Sequence, residues 1–467
     1  MTLQPPSLAL LLSVALAVQP GGTSYAAGAV SVGSASPPAS IDCGSLQARV
    51  DAAAPSSVIT LGECVFHETV TIDRPLTLSG PATITGDGER EYGVVVGADD
   101  VTLDGLTIVD TTNAAQDGAV RVRDSSRFVF RNGHILRAAG ACISIAGGSG
   151  HRVLDSELAY CGQEGFHGTG LTDTVFARNH IHHNNPDLAF DPYWEAGAGK
   201  ITRSTRVTFE GNEVDHNRGP GIWCDIDCRS ITIRGNRIYA NEQSGIFFEI
   251  STGATITGNA VWENGWSRTS SGWGAGILVS SSGGADVANN TVAWNADGIT
   301  IISQRRRDRQ PATDISVHDN VIALMADAGD DKDKFGLAWL EDGTTDMFTS
   351  TSGNSGANNR YWASQTDRPR VVFAFDDQQG ALDAIAGTAW DRGARWLDDS
   401  HARAAIEGAG VPFGPGPHVA QDDLPRRSLA IILAAVGGVV VVVVAWGVLV
   451  RRRWRRVGVR PPPRSLR

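Results

Sequence analysis

Lysine is almost absent from this chain: Lys200, Lys332 and Lys334 are the only three in 467 residues. Charged residues of all kinds make up only 19%, at a net charge of −11. Eight arginines and no acid fall in the last 17 residues, so the remainder carries −19. Such a body repels phosphate polymers, which excludes a nucleic-acid binder. What the chain has in quantity is glycine, 54 residues, with 20 prolines. Roughly one residue in six is Gly or Pro, above the ordinary level yet below the low-complexity range. That balance suits a turn-rich all-β protein and excludes collagen, coiled coil and wholesale disorder. Length alone permits two or three domains.

No charge interrupts Leu8–Val18 (LALLLSVALAV), which is followed by Pro20, Gly21, Gly22 and the small-residue site Ser24-Tyr25-Ala26. Although its n-region lacks Lys and Arg, the run reads as a signal peptide over 1–27, with a flexible spacer over 28–40. Leu429–Val450 holds 22 apolar or small residues without a break, enough to cross a bilayer core. Arg451, Arg452, Arg453, Arg455 and Arg456 follow it and belong in the cytoplasm. The expectation is a single-pass cell-membrane protein, with residues 28–428 outside and a basic tail, 451–467, inside. Residues 376–428 read as a C-terminal cap and stalk.

Six cysteines in an exported chain fit an oxidising compartment. The simplest pairing is Cys43 with Cys64, Cys142 with Cys161 and Cys224 with Cys228, among 15 possible connectivities. Zinc at Cys224 and Cys228 is disfavoured, because no second Cys or His pair has matching spacing.

Internal repetition is the strongest signal. An asparagine, then Ile or Val two residues on, then a second asparagine five residues on, recurs as Asn179-Ile181-Asn184, Asn212-Val214-Asn217, Asn236-Ile238-Asn241, Asn259-Val261-Asn264 and Asn290-Val292-Asn295. The first asparagines are 33, 24, 23 and 31 residues apart, a period of about 23 to 24 with insertions in two turns. Between them stand short strands that begin with glycine, such as Gly221-Ile-Trp-Cys-Asp and Gly245-Ile-Phe-Phe-Glu. One such repeat cannot bury its apolar face alone. Coils stacked at about 4.8 Å pair every strand in parallel and bury a continuous Ile/Val/Leu column, with the asparagines stacked at corners. Asn320 opens another repeat, but Met325 stands where its second asparagine is due, so the ladder is expected to end there. Cys43–Val58 has helical spacing and is expected to cap the first coil.

This pattern resembles the right-handed parallel β-helix of the pectate-lyase-like superfamily over about residues 41–375. The resemblance implies an all-β solenoid, and the chain is expected to be a monomer. It does not imply one chemistry, since that scaffold hosts lyases, hydrolases, epimerases, adhesins and accessory proteins.

Alternation within the strands points Asp225 and Glu249 outward as vertical neighbours, with Asp227 and Glu195 nearby. Paired carboxylates suit acid and base roles in a hydrolase or the oxygen ligands of calcium. Lys200 falls one coil earlier, in the same column if a one-residue slip is allowed. Some β-helix polysaccharide lyases use a lysine to take the C5 proton of a uronic acid while carboxylate-held calcium neutralises the sugar. Glu195 with Lys200 resembles that arrangement, although a plain ion pair of Lys200 with Asp225 reads equally well. The insertions Asn185–Trp194 and Gly265–Trp273 fall at one corner of their coils. They are expected to wall the strip with Tyr193, Trp194, Trp266 and Trp273, beside outward Trp223, as flat faces for sugar rings. The insertion Gln304–Arg309 brings Gln304 and Arg306 toward the same cleft.

The resulting expectation is action on an acidic polysaccharide, β-elimination of a uronate polymer first. Lys200 is the base, Arg306 or His216 the acid, and Glu195, Asp225, Asp227 and Glu249 the calcium-binding set. A hydrolase using Asp225 and Glu249, and a non-catalytic binding module with solvated carboxylates, are the alternatives. His216 beside Asn217 is more often a turn residue than a base. His180-Ile-His182 invites a metal, but lacks a ligand partner at fixed spacing.

Overall fold

The computed structural model describes residues 43–267, 272–324 and 334–414. The expected signal peptide and spacer, the segment 415–428, the expected membrane span and the basic tail lie outside the described residues. Among the described residues no helix is long and apolar enough to cross a membrane.

The repeats stack as three parallel columns of strands. One column forms a 13-stranded sheet that includes Glu164–Thr169, Gly197–Thr202, Ile222–Asp225, Ile246–Glu249, Ala275–Ser280 and Asp297–Gln304. The other two belong to a 23-stranded sheet. Every pairing between named strands is parallel except the last of the first sheet, where Val371–Phe375 meets Gln378–Gly380. Inward positions are Ile, Val, Leu and Phe, and they form one continuous core. Phe166, Phe176 and Phe209 stack inside it with ring centroids 4.9–5.4 Å apart.

The asparagines explain why coils of such short strands hold register. Asn236 Oδ1 accepts from Asn212 N and Nδ2, both at 2.9 Å, while Asn236 Nδ2 donates to Phe209 O at 3.0 Å and Asn259 Oδ1 at 2.9 Å. Each buried amide thus satisfies the coil before it and depends on the coil after it. The second ladder runs from Asn184 to Asn295. The first continues beyond the expected end, from Asn290 through Asn320 and Asn359 to Asp391. Met325 lies outside the described residues.

Leu46–Ala52 is helical, its Leu46 and Val50 buried, with Ser45 as N-cap; it covers the first coil as its spacing predicts. At the other end, Arg395–Trp396 still pairs with Arg360–Trp362, so one strand stacks beyond residue 375. The helix Asp399–Gly408 then lays Ala402 and Ile406 against Trp262, Trp294 and Val321. Cys43–Cys64 and Cys142–Cys161 are disulfides. Cys224 and Cys228 are not: both are free thiols turned into the core, and Cys228 Sγ lies 3.5 Å from the carbonyls of Ile201 and Asp225, either of which can accept its one proton.

Candidate functional site

Alternation along the 13-stranded sheet decides what reaches its outer face. Ile222, Cys224, Ile246 and Phe248 enter the core, which turns Trp223, Asp225, Phe247 and Glu249 outward. The register pairs Trp223 with Phe247 and Cys224 with Phe248, so Asp225 and Glu249 come next in neighbouring rows, as expected. The one-residue slip expected for Lys200 does not occur. Lys200 pairs with Trp223, and Thr202 with Asp225. An offset of two keeps Lys200 on the outer face, and its long side chain reaches Asp225 diagonally.

These residues floor a cleft of about 770 Å³, lined also by Tyr193, Trp194, Trp273, Gln304 and Arg306. The strand floor is apolar between the charges: Trp223 and Phe247 stack at 5.2 Å and pack with Ala275, Leu278 and Ile302. Tyr193 and Trp194 are 55% and 57% exposed, open faces at the cleft wall. Trp223, though outward, is only 4% exposed, because Lys200 Nζ sits 3.9 Å over its ring.

Charges alternate along the cleft. His167 Nδ1 lies 3.0 Å from Glu164 Oε1 and 3.3 Å from Glu195 Oε1. Lys200 Nζ lies 3.2 Å from Glu195 Oε2 and 2.9 Å from Asp225 Oδ2, and donates to the Trp194 carbonyl at 3.0 Å. Glu249 pairs with Arg306 and accepts from Trp223 Nε1 at 3.2 Å. Glu164, Glu195, Asp225 and Glu249 are all buried, so the picture of solvated carboxylates does not hold.

Burial and partners set the protonation. Burial alone would lower His167, but the two glutamates override it and push its pKa up to about 10. Burial likewise opposes the charge on Lys200, yet Asp225 and Glu195 outweigh it and the net shift is upward. Burial pushes Glu164 up to about 6 despite His167. Glu249 is raised by burial and by Asp225, against the pull of Arg306. Glu195 ends low, since His167 and Lys200 overcome its burial. Two buried oxygens, Glu164 Oε2 and Asp225 Oδ1, have no hydrogen-bond donor among the described residues, and Glu195 Oε1 has only the His167 ring nitrogen, at 3.3 Å.

Residues 118–292 match the family model of the right-handed β-helix region. That match and the parallel columns of strands give the chain the fold of a right-handed parallel β-helix. Its fold is shared with a mannuronic acid specific polysaccharide family 6 lyase from human gut microbiota, at 12% identity and a TM-score of 0.50, covering 77% of this chain and 91% of that one. The A-module of a mannuronan C-5 epimerase from Azotobacter vinelandii aligns at 16% identity and a TM-score of 0.49, over 75% of this chain and 94% of that one. A surface adhesin of Streptococcus pneumoniae aligns at 12% and 0.39, over 69% and 86%. No curated protein sequence matches the chain.

Within this β-helix, three expected residues lie away from the cleft lining. Asp227 is turned outward to Arg229 at 2.8 Å, half exposed, because Ile226 and Asp227 both take left-handed turn conformations (φ 51° and 62°) that break the alternation. Trp266 points to the Trp294 carbonyl, 2.9 Å from its Nε1, and lies under Lys334. Residues 268–271 of that insertion fall outside the described residues. His216 sits in the turn after the strand Glu213–Asp215 of the 23-stranded sheet (φ 52°), its Nδ1 2.5 Å from Asp215 Oδ2 and its ring 5.1 Å from that of His183. Around it, burial and neighbouring imidazoles lower His182, and bring His183 down to about 4.

The remaining set does not fit calcium. A hard dication takes six to eight oxygens, and one oxygen each of Glu195, Asp225 and Glu249 is held by the ammonium of Lys200 or the guanidinium of Arg306, which calcium would have to displace. A different group, Glu164, His167 and Glu195, brings three ligand atoms within 4.8 Å of one another, with the His167 proton at its centre. His167 and Glu164 escaped the sequence reading; the signal was their place one coil before Lys200, where the register pairs His167 with Lys200.

Proposed function

We propose that this cleft binds and acts on an acidic polysaccharide, with β-elimination of a uronate polymer as the reaction. The observation that carries the reading is Lys200, held between Glu195 and Asp225 in a cleft walled by exposed Tyr193 and Trp194. Three cations, His167, Lys200 and Arg306, stand ready for uronate carboxylates, on a chain otherwise strongly acidic. The aromatic walls suit the C–H faces of sugar rings. The mannuronate-specific lyase of the same fold makes mannuronate polymers the first substrate to test.

Lys200 rests protonated, so a base role begins with handing its proton to Asp225 across 2.9 Å. A sugar covering the pair strips it of water and favours the neutral form of both partners. The amine then takes the C5 proton, the C4–O bond breaks, and Asp225 returns its proton to the leaving oxygen. That cycle restores the ion pair. Arg306 binds the uronate carboxylate; a guanidinium does not give up its proton, which removes it as the acid. No step needs calcium. With a span at Leu429–Val450, the reaction takes place outside the cell on an anchored protein.

The test is the whole chain against a panel of acidic polysaccharides. A lyase gives an unsaturated product that absorbs in the ultraviolet, a hydrolase using Asp225 and Glu249 gives only reducing ends, and a binder gives neither. Full turnover in Lys200→Ala overturns the proposed role of Lys200.

A further inference from the structure

We propose that the strand His180–His182 and the turn residue His183 after it form a second site, which binds a borderline divalent transition ion, Zn²⁺ or Cu²⁺, between the ring nitrogens of His182 and His183. The sequence offers the His-Ile-His-His pattern without a partner; the stacked coils supply one. Glu157, one coil earlier, lies with Oε1 3.0 Å from His182 Nε2. That contact keeps the His182 proton on Nε2 and presents Nδ1 as a lone pair. His182 Nδ1 and His183 Nδ1 face each other at 2.8 Å, which leaves one proton between two nitrogens.

An ion bound about 2.0–2.1 Å from each nitrogen needs the rings to part only slightly and releases that one proton to solvent. Glu157 then completes the carboxylate–histidine–metal arrangement, which orients the ring and raises its basicity. Both rings are held before any ion arrives. His180 stacks on His182 at 3.9 Å, while Tyr160 and His216 both stack on His183 at 5.1 Å. The pair is thus preorganised, which cuts the entropic cost of binding. Water fills the remaining positions through half-buried His183. Imidazole donors favour Zn²⁺ or Cu²⁺ over Ca²⁺, and none of these residues lines the cleft.

The test is thermal unfolding of the whole chain with Zn²⁺, and with Ca²⁺ as control. His183 has φ 54°, a conformation that asparagine tolerates, so His183→Asn removes the ligand and keeps the turn. The expected result is a Tm that climbs with Zn²⁺ concentration in the native chain and in His401→Asn, an exposed control. It stays flat in His183→Asn and with Ca²⁺. Paramagnetic resonance of the native chain with Cu²⁺ should show coupling to two imidazole nitrogens, a reading that needs no variant. An unmoved Tm in the native chain, a full Zn²⁺ shift in His183→Asn, or a Cu²⁺ signal without two nitrogens overturns the proposal; a surviving shift would put the ion elsewhere, with His167 and its glutamates as the competing group.

Discussion

Replacing Asn236 by Ala removes one rung of the first ladder and should cost far more than any surface change in the same coil. The side chain is 1% exposed and makes four hydrogen bonds, two accepted from Asn212 and two donated, to Phe209 O and Asn259 Oδ1. After truncation the Asn212 N–H is buried without an acceptor, a cost of about 1–3 kcal/mol, and each other lost bond adds about 1 kcal/mol. Together these predict a loss of about 4–6 kcal/mol. The comparison is Arg234→Ala, which breaks an exposed ion pair to Glu210 and should cost at most about 1 kcal/mol. Urea unfolding followed by circular dichroism gives both numbers, and hydrogen exchange at the Asn212 amide reads the rung directly. Equal midpoints for the two variants, with unchanged exchange at Asn212, would refute the claim that the ladder holds the coils in register.

Three other outcomes follow from the charges and thiols. His167, raised from 6.5 to about 10, contributes stability that is complete below about pH 6.5 and lost as pH climbs to about 10. Glu164, raised from 4.5 to about 6, loses its contribution over that lower interval in the same direction. Tm should therefore fall as pH rises, and His167→Gln should flatten the part above pH 6.5; an unaltered profile in that variant contradicts the assignment. A thiol reagent should find nothing in the native chain and two thiols after denaturation, since Cys224 and Cys228 are buried and the other four cysteines are bridged. Calcium, added or chelated, should leave Tm unmoved, because to bind Glu195, Asp225 and Glu249 it would have to displace Lys200 and Arg306 from them.

Much of the scaffold was legible because its signals are local and periodic. The asparagine pairs marked the corners, and period-2 alternation brought Lys200, Asp225 and Glu249 onto one outer face. The ladder's continuation was hidden because its spacings lengthen to 39 and 32 residues and its last rung is Asp391 rather than asparagine. Asp227 and Trp266 were misplaced because they lie in turns, where a left-handed residue or an insertion cancels the alternation. The third cysteine pairing failed for a related reason: Cys224 is an inward strand residue, so its proximity to Cys228 reflects shared burial in the core. The depth of the charges was not legible at all. Outward residues become buried only when neighbours from other coils cover them, as Lys200 covers Trp223 and Arg306 reaches back across 57 residues to Glu249.

The most direct measurement of the central claim is calorimetric titration of a mannuronate oligomer, and of a neutral glucan oligomer of equal length, into the native chain and Arg306→Gln. The cleft as described binds the acidic oligomer and not the neutral one, and loses about tenfold in affinity, about 1.4 kcal/mol, when the guanidinium is removed. Equal binding of both sugars, or acidic binding untouched by Arg306→Gln, would contradict it.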